Sequence, residues 1–200
     1  MLVIGLTGPS GAGKSEVARV FAKYGVPVIN ADEVYHKLLQ PPSFCLAELT
    51  DYFGTKILFP DGTLNRVALG NIVFSNPNDL QALNSITHRY IMEEIRMELE
   101  DLRSKNYRAA VLDAPQLFEA GAHHICNTVV SVLAQRSIRL ERIMARDHID
   151  AQTAMRRMES QKSDEYFRSH SDYIIENNTT TDHITPDVEH ILRSTGVIGF

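Results

Sequence analysis

The sequence is poor in the features that mark several functional classes. Cysteine occurs only at Cys45 and Cys126, without paired spacing, which argues against a disulfide scaffold or a zinc site and suits a reducing interior. A basic surplus is lacking as well. The formal charge of −5 and a pI near 5.9 argue against a general nucleic-acid or membrane surface, either of which favours a basic face. The apolar start is interrupted at Thr7 and Gly8, far short of a signal h-region or a membrane span. No internal repeat and no low-complexity linker occurs. The expectation is a cytoplasmic protein without nucleic-acid or membrane partners. At 200 residues, 44% hydrophobic and 22% charged, it suits one compact α/β domain with an insertion.

What is present is concentrated at residues 2 to 15, where an apolar run meets Gly8-x-x-x-x-Gly13-Lys14-Ser15 and then an amphipathic stretch. A backbone wrapped around an anion needs φ angles and approach distances that a Cβ obstructs, hence Gly8, Gly11 and Gly13. Lys14 supplies a point charge for the β- and γ-phosphates, Ser15 offers a hydroxyl to Mg²⁺, and the helix starting there points its positive dipole end at the same anion. Gly8, Gly11, Ala12, Gly13, Lys14, Ser15 and Glu16 are therefore the expected ATP-binding stretch, with Mg²⁺ as cofactor.

The rest of the chain places further chemistry. Residues 2 to 6, 26 to 29, 109 to 112, 128 to 133 and 173 to 175 read as buried strands. Their ends deliver Asp32, Asp113, an arginine-rich stretch and Asn177-Asn178 to one edge, where an open α/β sheet binds ligands. Asp113 is expected to help hold Mg²⁺ through water, and amides such as Asn177 to read an adenine edge. Residues 33 to 108 leave the βα rhythm for helices, with a turn at Pro60-Asp61-Gly62 and a long helix opened by Asn76-Pro77. They form an acceptor lobe outside a core of residues 1–32, 109–135 and 170–200. Residues 136 to 169, carrying Arg136, Arg139, Arg142, Arg146, Arg156 and Arg157, have the composition of a lid. Arg139, Arg142 and Arg146 fall along one helix face and are expected to converge on one anion. His88 reads as structural, and His123-His124 as a solvated turn without the further ligands a metal needs.

This layout is that of a small-molecule kinase, a P-loop kinase fold with a five-stranded parallel sheet flanked by helices. Lys14, Arg142 and Arg146 would neutralise the transferring phosphoryl group, and Asp32 would accept the acceptor's proton. A GTPase is disfavoured because no Asn-Lys-x-Asp guanine motif occurs. The acceptor stays open at this point, as does a nucleotide-binding regulator without turnover.

Longer words narrow the choice. Ile4 through Ser15, Val28-Ile29-Asn30-Ala31-Asp32, Phe59-Pro60-Asp61-Gly62-Thr63-Leu64-Asn65-Arg66, Thr87-His88-Arg89, Asp113-Ala114-Pro115-Gln116-Leu117-Phe118-Glu119 and Ser171-Asp172-Tyr173-Ile174-Ile175-Glu176-Asn177 resemble the dephospho-coenzyme A kinase family. So do the lid words Arg142-x-x-x-Arg146 and Arg157-x-x-x-Gln161. Pro9, Asn30, Arg89 and Gln116 depart from the family's usual Gly, Asp, Pro and Leu. The resemblance implies ATP-dependent phosphorylation of the ribose 3′-hydroxyl of dephospho-coenzyme A, the last step of coenzyme A synthesis. It implies Asp32 as base, and it directs Asp32, Arg66, His88 and Asp113 toward the acceptor.

Overall fold

The structure is a computed structural model that describes residues 1–178 and 184–199. The chain divides into two compact units, one of residues 1–29 and 102–200, the other of residues 30–101.

The first unit is built on β1 (Leu2–Thr7), β2 (Val28–Asn30, whose last residue opens the second unit), β3 (Ala109–Asp113), β4 (Thr128–Leu133) and β5 (Tyr173–Glu176), ordered β2-β3-β1-β4-β5. β1 lies in the middle, parallel to β3 in the register Leu6↔Asp113 and to β4 in the register Leu6↔Val130, and β4 is parallel to β5. Strands covered on both faces are mostly apolar, and β3 and β4 are buried at every position. The helices α1 (Lys14–Lys23) and α9 (Ile184–Ser194) pack on one another. Val17, Phe21, Val188, Ile191 and Leu192 enter the same core as Ile4, Leu6, Val111, Val130 and Ile175. Each such side chain contributes about 1.5–3 kcal/mol when removed from water. This packing holds the loop between β1 and α1 at the carboxyl edge of the sheet.

After β4 come α6 (Arg136–Asp147), α7 (Ala151–Glu159) and α8 (Asp164–His170). Asp150 caps α7 by accepting from Thr153 N at 2.7 Å, and Ser163 caps α8 by accepting from Tyr166 N at 3.2 Å. These caps divide the arginine-rich stretch into three helices, because each side-chain oxygen satisfies an N–H that a new helix leaves open.

The second unit contains α2 (Ala31–Leu38), α3 (Phe44–Phe53), α4 (Arg66–Val73) and most of α5 (Pro77–Ser104). Leu39, Cys45, Leu49, Phe53, Ile57, Leu69 and Val73 form its core, with Leu80, Leu83, Ile86 and Tyr90 packed against it. Cys45 is fully inside because it faces the packed side of α3. The Pro60-Asp61-Gly62 turn lies between Leu58 and Leu64, which form an antiparallel bridge. Asp61 accepts from both Thr63 N at 3.0 Å and Thr63 Oγ1 at 2.6 Å. Among the described residues no helix is long and apolar enough to cross a membrane.

Candidate active site

The phosphate loop takes its shape from glycines at places where a side chain has no room. A Cβ at Gly8 would stand 2.2 Å from the Val132 carbonyl oxygen, and one at Gly11 would stand 2.7 Å from the Arg139 carbonyl oxygen. The loop thus lies directly against the backbones of β4 and α6. Gly13, with φ of 91°, is the N-cap of α1. Ala12 is buried, Lys14 is mostly buried and Ser15 is exposed at the first turn, where the positive end of the helix faces outward. Lys14 Nζ pairs with the carboxylate of Asp113, which ends β3 and is 2% exposed. Burial of both partners in one ion pair fixes Lys14 beside the loop. Glu16 is occupied differently from the expectation of an ATP contact: its carboxylate pairs with Arg19, and its N–H donates to Gly13 O at 3.0 Å. One turn into a helix, side chain and amide are both drawn into local bonds.

The arginines of α6 share a face as the spacing predicts, but they do not converge on one point. Arg139 is 6% exposed. Its Nε donates to Ser10 O at 3.0 Å, Nη1 to Asp164 at 3.1 Å and Nη2 to Gln161 Oε1 at 3.4 Å. Its expected place on a shared anion is therefore corrected, since every guanidinium nitrogen already has a partner. Burial lowers its pKa, which Asp164 opposes. Arg142 Nη1 reaches the carbonyl oxygens of Gly11 and Ala12, each at 3.3 Å, and of Asn177 at 3.2 Å. Arg146 is largely exposed; it grips Asp147 through Nε at 2.8 Å and Nη2 at 2.9 Å, and touches Ser10 Oγ at 3.3 Å. Arg157 also pairs with Asp147, and hydrogen bonding from Arg146 leads the effects that hold this carboxyl at about 2. Arg136 pairs on the surface with Glu159.

Asn177 is 5% exposed, and its Nδ2 donates to Ala12 O at 2.9 Å. Instead of presenting an amide to adenine, it supports the loop from beneath, because β5 ends directly under Ala12 and Gly13. The neighbouring Asn178 accepts from Gln135 N at 2.7 Å. His123 lies in a short 3₁₀ turn, Ala122–Ile125, with its ring 5.4 Å from that of Phe118; the solvated turn is thus partly packed. Gln116, where the family usually has Leu, is exposed, while Leu117 beside it is fully buried.

In the second unit Asp32 lies in the first turn of α2 and is exposed. Asn30 caps that helix by accepting from Asp32 N at 2.9 Å and Glu33 N at 3.1 Å. Asn does here what Asp would do, so the departure from the family word leaves the helix start intact. Among the described residues no hydrogen bond or ion pair engages the Asp32 carboxylate. Arg66 opens α4 and approaches His36 Nδ1 at 3.4 Å. His88 is half-buried in α5, and burial lowers its pKa. Arg89, at the family's Pro position, pairs with Glu48 of α3, which also accepts from Tyr90 Oη at 2.7 Å. A donor at that position ties α5 to α3.

The residues that sequence reasoning missed are those holding the loop from behind at Ser10: Asp164, through Arg139, and Gln161, which stood out only as part of a lid word. Ser163-Asp164 has the form of a helix N-cap, which signals a helix start but not a partner for Arg139.

Comparison with known proteins is consistent with this arrangement. A sequence model of the dephospho-CoA kinase family matches residues 2–183. A dephospho-CoA kinase of Saccharomyces cerevisiae is 40% identical over 198 residues, covering 96% of this chain and 82% of that one. The solved dephospho-CoA kinase from Campylobacter jejuni superposes with a TM-score of 0.72 at 27% identity, covering 98% of each chain. Shikimate kinase from Bacteroides thetaiotaomicron, 14% identical over 98% of each chain with a TM-score of 0.53, shares the fold. Motifs, sheet order and these similarities agree, and the chain belongs to the dephospho-CoA kinase family, enzymes that use ATP to phosphorylate dephospho-coenzyme A in coenzyme A biosynthesis.

Proposed function

We propose that this chain transfers the γ-phosphoryl group of ATP to the ribose 3′-hydroxyl of dephospho-coenzyme A, with Asp32 as the group that takes the hydroxyl proton. The acceptor oxygen forms a bond to the γ-phosphorus, the bond from that phosphorus to the β–γ bridging oxygen breaks, and ADP leaves. Such a transition state asks the protein for position and charge rather than covalent chemistry. Lys14 supplies charge beside the loop. Arg146, itself exposed, can exchange Asp147 for a phosphate because Arg157 also pairs with that half-buried carboxylate and keeps it partnered when Arg146 leaves. Arg142 braces the loop carbonyls, which turns the loop N–H groups toward the anion.

Ser15 and Asp113 suit Mg²⁺, because a hydroxyl and a carboxylate are hard oxygen donors. Among the described residues no three His, Cys, Asp or Glu side chains gather as a metal-binding group. Nucleotide phosphates would therefore complete the metal's shell, Ser15 acting directly and Asp113 through water. When bound, the ion neutralises charge developing on the phosphate oxygens. Arg66 and His88 are assigned to the acceptor's side, and the cysteines, which are unpaired, support a cytoplasmic setting.

The observation that carries this reading is the phosphate loop with Lys14 held by the buried Asp113. An ADP-release assay tests it, with dephospho-coenzyme A beside AMP and shikimate. Turnover is expected with dephospho-coenzyme A, and comparable turnover of either other acceptor would refute the assignment.

A further inference from the structure

All the polar groups of Ser10 are met by the segment that follows β4. Its N–H donates to Gln161 Oε1 at 3.0 Å, its carbonyl accepts from Arg139 Nε at 3.0 Å, and its hydroxyl lies 3.3 Å from Arg146 Nη2. Gln161 Oε1 also receives Arg139 Nη2 at 3.4 Å, so one amide oxygen serves two donors. The amide cannot be turned the other way, because its NH₂ would then face an N–H and a guanidinium. Both backbone groups of Ser10 are thus held from outside the loop, by residues 129 and 151 positions away.

We infer that Gln161 is a positioning residue that, through Ser10 and with Arg139, sets the shape of the phosphate loop, so that the lid segment determines how strongly the loop binds the nucleotide's phosphates. This rests on the kinase reading above. Gln161 touches no phosphate itself. It sits in the connection between α7 and α8, one residue beyond the C-cap of α7, and its own N–H bonds to Met158 O at 3.3 Å. The turn after α7 thereby delivers the acceptor oxygen to Ser10. Asp164, at the start of α8, supplies the countercharge that keeps the buried Arg139 guanidinium in place. A loop already curved before ATP arrives spends less ordering entropy on binding. Losing the Gln161 oxygen should weaken ground-state and transition-state binding alike, which raises KM for ATP and leaves kcat nearly unchanged.

The test compares wild type, Gln161→Leu and Gln161→Glu by titration with a fluorescent ATP analogue, by steady-state kinetics and by thermal melting. Loss of two hydrogen bonds at one oxygen predicts that Gln161→Leu weakens nucleotide binding about five- to tenfold. The kcat should stay within about twofold and KM for dephospho-coenzyme A should not move, as expected when uniform binding is lost. Gln161→Glu keeps an oxygen for both donors and should restore nucleotide affinity to near wild type. Should Gln161→Leu not fold, Gln161→Asn, whose oxygen is withdrawn by one methylene, is expected to show the same weakening. Unchanged nucleotide binding in a folded Leu or Asn variant overturns the inference, as does a Glu variant no better than Leu, or a kcat that falls while affinity holds. A wild-type protein that binds no ATP analogue overturns the kinase reading and this inference with it.

Discussion

Replacing Gly13 by alanine should be costly, and about 1 kcal/mol of that cost should vanish when Asn177 is removed first. Gly13 has φ of 91°, and a Cβ there would stand 2.0 Å from Asn177 Nδ2. The left-handed backbone costs an L-residue about 1–2 kcal/mol. The contact with Asn177 is relieved if the amide swings away, but it then gives up its bond to Ala12 O, 2.9 Å long and buried. That loss is worth about 1 kcal/mol. Gly13→Ala is therefore expected to destabilise by about 2–3 kcal/mol in total. Asn177→Ala alone loses the same bond, about 1 kcal/mol. In the double variant the bond is lost once rather than twice, so its cost should match that of Gly13→Ala alone, an interaction energy of about 1 kcal/mol. Urea unfolding of the four proteins measures the cycle, and ATP titration of the same proteins shows whether the loop amides moved. Additivity within about 0.5 kcal/mol would refute the argument, because it would mean that Gly13 and Asn177 do not share the space beneath the loop.

Asp32→Asn should keep ATP binding and lose roughly 100- to 10,000-fold in turnover, the usual worth of a general base. A loss under about tenfold in single-turnover kinetics would leave Asp32 an orienting role. Arg142→Lys should reduce turnover and loosen ATP together, since the lysine ammonium ends one bond short of the guanidinium Nη1 that meets the carbonyls, whereas Arg136→Lys should be silent because its pair with Glu159 is exposed; equal effects on kinetics at both positions would contradict the bracing role of Arg142. Burial pushes the Cys45 thiol up to about 11 and the Cys126 thiol up to about 12. Folding therefore favours the protonated thiols. Their contribution is whole below the unfolded thiol's pKa of about 8.5 and is lost as pH rises toward those values. Both should resist a thiol reagent at pH 8 until urea is added, and rapid labelling of the folded protein would refute this.

The sequence by itself determined the elements that depend on neighbours in the chain. The Gly8-to-Ser15 loop between an apolar strand and an amphipathic helix is local, and so are the Asn65 cap of α4, the Pro60-Asp61-Gly62 turn and the long helix opened by Pro77. Each follows from backbone sterics, capping or periodicity over a few residues, and the family words lie on the same stretches. Tertiary structure decided which polar side chains are spent on the fold. Arg139, Arg142 and Arg146 are equivalent by spacing. One is buried against Ser10, one braces the loop's carbonyls and one remains exposed, because their partners come from loops and helix ends distant in sequence. Asn177 has the residue type of a base reader, but β5 ends beneath the loop, where an unmet carbonyl costs more than an exposed one. A hydrogen bond between Ser10 and Gln161 spans 151 positions. No local pattern encodes it; it exists because β4, by packing beside β1, brings the helices that follow it up against the loop that follows β1.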